Sequence, residues 1–331
     1  MFSRRWVIFL ALGLLLFVGL VLSLGVGAVP LSPAQVSDAL FGSSLKPSDA
    51  AIVWDFRLAR GLLVCLCGMS LSTAGAGFQG LFRNPLADPY IVGASSGAAL
   101  GATISIVLAN ATGMSVPIGA AAFFGALLAV FAASLLAEVS GFGAIAGLLL
   151  SGVALGSVLS ALTSLLLLLD DQALREIFAW LLGGFGGRSW THLQQAAWVA
   201  PVGIVSLWWM SRPLDALTIG EDGARSLGLD LRWARFVIVV GASLCTATAV
   251  AAGGMIGFVG LVAPHLARGI FGPAHAWLIP ASMLIGALLL LGADVLARSL
   301  FPPLELPIGV LTTLLGAPFF IMLLRLKGRT A

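Results

Sequence analysis

Charge is what this 331-residue chain has least of. Only 9% of its residues are Asp, Glu, Lys or Arg, while 60% are hydrophobic, against roughly 25% charged in an average soluble domain. Seventeen basic and 14 acidic side chains cannot cover a soluble surface over that much apolar mass. A soluble enzyme and a disordered chain are therefore excluded. Lysine is nearly absent: Lys46 and Lys327 are the whole set, and Pro47 and Gly328 follow them. A phosphate-binding P-loop needs Gly-Lys-Ser/Thr, so any ATP hydrolysis belongs to another chain. Cysteine is scarce too. Cys65, Cys67 and Cys245 form an odd set inside apolar runs, which excludes a disulfide scaffold and suits small buried hydrophobes. Three histidines and a single tyrosine form no cluster that would ligate a metal. The three-charge positive excess is scattered singly, as at membrane flanks, and does not point to nucleic acid.

Long apolar runs are what the chain has in abundance, with a mean hydropathy of +1.08. Ten can be marked, at 6–29, 58–82, 91–108, 116–137, 144–169, 194–211, 234–252, 254–268, 277–297 and 307–325. They are apolar all round rather than alternating, so the expected class is all-α: a polytopic protein of about ten transmembrane helices with the lipid bilayer as outer solvent. The first run exceeds the roughly 7–15 residues of a signal-peptide core and is expected to be retained. Segment 254–268 is too short to cross about 30 Å at 1.5 Å per residue, so it should be a partial or broken span.

Arg4 and Arg5 precede the first run, and Arg325, Lys327 and Arg329 follow the last. The positive-inside rule places both ends in the cytoplasm, which requires an even number of spans. Ten spans also place Arg83, Arg212, Arg225, Arg232, Arg235 and Arg268 inside, so that the inside holds eleven of the 17 basic residues. Glycines recur at four-residue spacing (Gly93, Gly97, Gly101; Gly152, Gly156; Gly253, Gly257). That spacing suits close helix packing, or a sliding face, in lipid.

Two polar stretches fall on the inside. In 212–235, an acidic pair after Gly220 and a glycine at 228 predict a short helix over 221–227, with a second over 213–219. This is either a plain connector or a docking element. In 78–101, Pro85 and Pro89 break the helix while Asn84 and Asp88 carry polarity toward an apolar region. Broken backbone at that depth is tolerated only inside protein or beside a water-filled cavity. Gly93–Gly97 fits G-x-S-x-G, but a nucleophile elbow needs a strand–turn–helix, and no strand is available. On the outside, Arg57 and Arg60 share a helix face, and Asp294 precedes Arg298 by four residues. These arginines are either interfacial anchors or a basic ring at a pathway mouth.

The chain resembles the permease subunits of the FecCD/BtuC-type ABC importers for ferric siderophores, haem and cobalamin. The matching blocks are WDFRLARGLLV (54–64), GFQGLFRNPLADPYIVGASSGAALGA (77–102), GEDGARSLGL (220–229), GGMIGFVGLVAPHLAR (253–268) and ELPIGVLTTLLGAPFFIMLL (305–324). The resemblance implies one transmembrane permease domain over 1–331 with the BtuC-like fold. It implies pairing with a second copy or paralogue, with a homodimer preferred. Two cytoplasmic ATPase subunits would bind ATP and Mg, which this chain would not, and an extracytoplasmic binding protein would deliver cargo. It assigns ATPase coupling to 213–229, with Leu217, Gly220, Glu221, Ala224, Arg225 and Leu227 as contacts. It assigns binding-protein docking to Arg57, Arg60 and Arg298, and a cytoplasmic gate to Asn84, Pro85 and Asp88. No residue is given a catalytic or metal-binding role. The cargo is expected to be an iron chelate moved by alternating access, with cobalamin as the alternative. A proton- or sodium-driven transporter is the competing class, with Asp88 and Asp294 its only plausible intramembrane acids.

Overall fold

The computed structural model describes residues 2–42, 50–114, 116–141 and 144–327, without the side chains of 2–3, 144 and 323–327. Lys46 and Arg329 lie outside the described residues, as do the side chains of Arg325 and Lys327. The order is α1 (Phe2–Gly25), α2 (Pro33–Phe41), a π-helical stretch (Ile52–Leu58) continuing into α3 (Ala59–Phe82), α4 (Ala94–Thr112), α5 (Ile118–Val139) and α6 (Ala144–Leu168). Then come α7 (Asp171–Leu181), α8 (Trp190–Trp209), α9 (Ser211–Thr218), α10 (Glu221–Ser226), α11 (Leu231–Gly253), α12 (Val259–Phe271), α13 (His275–Ser299) and α14 (Ile308–Lys327). Among the described residues no strand forms beyond an isolated bridge between Phe301 and Leu304.

Each of the ten apolar segments is carried by a helix. Seven of these helices are long and apolar enough to cross a membrane, and α8, α12 and α14 carry the other three segments. The chain is a multi-pass membrane protein. The short segment is broken as expected: α12 has 13 residues, about 20 Å of helix, and 254–258 precedes it without helical structure.

The helix α3 is the axis of the bundle. It packs against α13, α11, α12 and α8, and 83% of its apolar window is buried, against 11% for α1. Its sequence explains this position. Small residues line it, and a side chain on Gly75 would place Cβ 1.7 Å from the Gly260 carbonyl oxygen, so only glycine lets α3 and α12 touch backbone to backbone. The pair α4 and α5 meets in the same way, with Gly97 and Gly101 against the backbone of Gly125 and Ala121. At these positions the four-residue glycine spacing is packing.

Candidate functional site

Polar chemistry collects at the two ends of the bundle, and α13 joins them. Its 25 residues span about 37 Å, from His275 at one end to Asp294 and Arg298 at the other.

At the His275 end, α9 and α10 form a pair of short helices packed on the end of the bundle. Their bounds fall within two residues of the sequence expectation. Gly220 caps α10 at φ +117°, a conformation L side chains rarely adopt. Asp230 caps the following α11 by accepting from the amides of Arg232 and Trp233. The pair is keyed to the membrane helices at three points. Leu214 and Leu217 of α9 and Ala224 of α10 are buried in the core. Asp215 Oδ1 accepts from the His275 amide at 3.0 Å and lies 2.6 Å from His275 Nδ1. Glu221 pairs with Arg235 of α11 at 2.6 Å.

This arrangement divides the expected coupling residues. Leu217 and Ala224 face the chain's own interior, so they position the helices and offer nothing to a partner, a correction to their expected role as contacts. Glu221 is drawn onto Arg235. The surface left open is Arg225, Leu227, Asp222 and Ile219, the last two not among the expected contacts. Ile219 and Leu227 are 71% and 69% exposed, beside a fully exposed Asp222 and a mostly exposed Arg225. Exposed apolar side chains rimmed by charge are typical of a protein interface.

The broken segment lies against this same end. Arg83 terminates α3 in the left-handed region at φ 51°, and its guanidinium approaches the α9–α10 turn, 3.9 Å from where a Cβ on Gly220 would stand. Asn84 Oδ1 accepts from the Leu86 amide and Asp88 Oδ1 from the Tyr90 amide, each at 2.9 Å. These side chains accept from amides that the broken helix leaves without a backbone carbonyl partner. Asn84 and Pro85 are exposed, and Asp88 is set deeper. Desolvation raises the Asp88 carboxyl above the usual carboxylate range, against the opposing effect of the Tyr90 amide. The Tyr90 hydroxyl donates to the Ile256 carbonyl at 3.2 Å and so ties this segment to the irregular 254–258 stretch. A cavity of about 340 Å³ opens beside Tyr90 between α4 and α6, lined by the hydroxyls of Ser96, Ser157 and Ser160. Ser95, the centre of G-x-S-x-G, opens the first turn of α4, not an elbow.

At the other end Arg57, Arg60 and Arg298 do converge, around a cavity of about 260 Å³. They are not free to reach outward as the sequence suggests. Each is 5–9% exposed. Arg60 holds Asp294 at 2.9 Å and Glu305 at 2.8 Å. Arg298 holds the other Asp294 oxygen at 2.9 Å and donates to the Val26 carbonyl at 2.7 Å. Arg57 donates to the carbonyls of Leu24, at 2.6 Å, and of Val29. Asp294 is wholly buried between two arginines. Two members of this group escape a reading of local spacing. Glu305 is 245 residues from its partner, and Arg188 stands alone in the 182–189 loop. Glu305 does open one of the quoted blocks, which was the available signal.

Residues 15–326 match the FecCD transport family. The chain is 41% identical to the vitamin B12 import system permease protein BtuC of Klebsiella pneumoniae, over 99% of this chain and 96% of that protein. It is 38% identical to the hemin transport system permease protein HmuU of Yersinia pestis, over 95% of each. Its fold is similar to that of a metal-chelate type ABC transporter solved in an inward-facing conformation, with TM-score 0.84 and 34% identity, covering 96% of this chain and 98% of the other.

Proposed function

This chain belongs to the FecCD transport family and is an ABC permease subunit; we propose that it moves an iron chelate, a ferric siderophore or haem, inward across the cytoplasmic membrane by alternating access. The observation that carries the proposal is the α9–α10 pair. It is keyed into the bundle by Leu217, Ala224 and the Asp215–His275 contact, yet presents Ile219, Asp222, Arg225 and Leu227 outward. That is the form of an element that receives force from a separate ATPase, which would bind ATP and Mg. Force delivered there would reach α13 through His275, and reach the ends of α3 and 83–93 through the Gly220 turn. The breaks at 83–93 and 254–258 are where helices could re-angle. Asn84, Pro85 and Asp88 would gate the path at this cytoplasmic end.

The arginine end would then face outward. Arg57, Arg60 and Arg298 would form the rim that meets a cargo-delivering protein, exchanging some in-chain pairing for its carboxylates. Two copies of the chain and two ATPases complete the assembly in this reading. Sidedness is testable by cysteine labelling, since the three native cysteines are buried. Asp222→Cys and Leu304→Cys should react with an impermeant thiol reagent from opposite sides.

A second cargo, cobalamin, is favoured by the 41% identity to the Klebsiella vitamin B12 permease. Uptake of labelled ferric siderophore, haem and cobalamin in a strain lacking this gene decides between them. Loss of an iron chelate alone supports the main reading. Loss of cobalamin alone replaces the cargo and keeps the mechanism. Uptake that survives ATP depletion but collapses with the ion gradient removes both in favour of a secondary transporter.

A further inference from the structure

The cavity at the arginine end is unbalanced in charge. Four guanidinium groups, from Arg57, Arg60, Arg188 and Arg298, line it. Two carboxylates oppose them, Glu305 on the lining and Asp294 buried beneath. Both carboxylates are taken by Arg60 and Arg298. Arg57 is satisfied by backbone carbonyls. Arg188 has no ion pair among the described residues, and its buried Nε has no hydrogen-bond partner. Arg188 is partly buried, and a guanidinium nitrogen removed from water with an unused donor is unfavourable unless something supplies an acceptor. No described residue supplies that acceptor, and the cavity of about 260 Å³ has room for an anionic group.

We propose that this cavity is an anion-recognition site for the cargo, in which Arg188 grips a carboxylate of the chelate, so that the chain prefers anionic chelates to neutral ones. The proposal rests on the importer reading above for its cargo, but not for the chemistry of the site. Arg188 is suited to the role because a planar guanidinium can bind a carboxylate through two parallel hydrogen bonds. The surrounding positive charge, in a partly desolvated pocket, strengthens the attraction. Arg60 and Arg298 are already engaged by Asp294 and Glu305, leaving Arg188 as the group with a donor to spare. A neutral chelate entering the same space would leave those donors unmet.

A carboxylate of a docked protein offers the same chemistry, so the test begins with the isolated full chain in lipid nanodiscs. The probes are haemin, which carries two carboxylates, and its dimethyl ester, which carries none. The wild-type chain should bind haemin about ten-fold more tightly than the ester. Arg188→Gln should erase that preference by weakening haemin alone, and Arg188→Lys should restore part of it. A thermal melt of each variant separates lost recognition from lost folding, and the Lys variant keeps the test open if Gln unfolds the chain. Equal affinities in the wild type, or a preference that survives Arg188→Gln, would overturn the proposal. So would an uptake defect in Arg188→Gln with haemin preference intact, which would assign the arginine to the docked protein. If no chelate is imported by cells yet the preference holds, the importer reading fails and the anion site stands.

Discussion

The two ends of the bundle carry similar sequence signatures and use them in opposite ways. Arg57 and Arg60 are three residues apart, and so are Asp222 and Arg225. In the first pair each guanidinium is buried, 5–9% exposed like Arg298, and engaged within the chain. In the second the charges are exposed and 4.0 Å apart, a contact too loose and too solvated to matter to folding. Charge at one end holds the chain to itself. Charge at the other is left exposed to solvent. The difference follows from what surrounds each pair: a buried Asp294 for Arg60 and the Leu24 and Val29 carbonyls for Arg57 in one case, and open solvent around a six-residue helix in the other.

The sharpest way to break this contrast is at Asp294. Replacing it with Ala leaves Arg60 and Arg298 buried without their shared acid, which typically costs about 3–5 kcal/mol. Thermal unfolding of the detergent-purified chain should show a large loss. A melt within a degree or two of wild type would mean that Glu305 and the Val26 carbonyl suffice to hold the arginines. Asp215→Ala comes next. It removes the acceptor for both the His275 amide and ring, with an expected cost of about 1–3 kcal/mol. It should also lower ATP-driven uptake more than that stability loss accounts for, because α9 is then unhooked from α13. Uptake that follows stability alone would reduce Asp215 to a structural contact. The smallest effect on stability belongs to the swap of Asp222 to Arg and Arg225 to Asp, expected within about 0.5 kcal/mol of wild type.

Much of this architecture was legible from residue order. The ten apolar runs each became a helix, because lipid demands internally satisfied backbone and leaves few alternatives. The two short helices were visible from Gly220, Glu221, Asp222 and Gly228, since caps and turn glycines act locally. The break in 254–268 followed from length alone. What could not be seen was whatever depends on distant chain. Arg60 meets Glu305 across 245 positions, and no local spacing encodes that approach. Leu217 and Ala224 lie on short helices whose inward faces are set by α3, α11 and α13, so their burial was hidden while the helices themselves were not. The π-helical lead into α3 and the amphipathic α7 also went unmarked. In α7 the signal was present: Asp170 accepts from the amides of Gln172 and Ala173 ahead of an inward face formed by Ala173 and Ile177.

The central claim is that charge at the α9–α10 end works between chains. Affinity purification of the full chain, wild type against the Asp222–Arg225 charge swap, from its native cells tests this most directly. The account predicts that an ATPase subunit accompanies the wild-type chain and is lost from the swap variant, while both melt at the same temperature. An ATPase that stays bound to the swapped chain would contradict it.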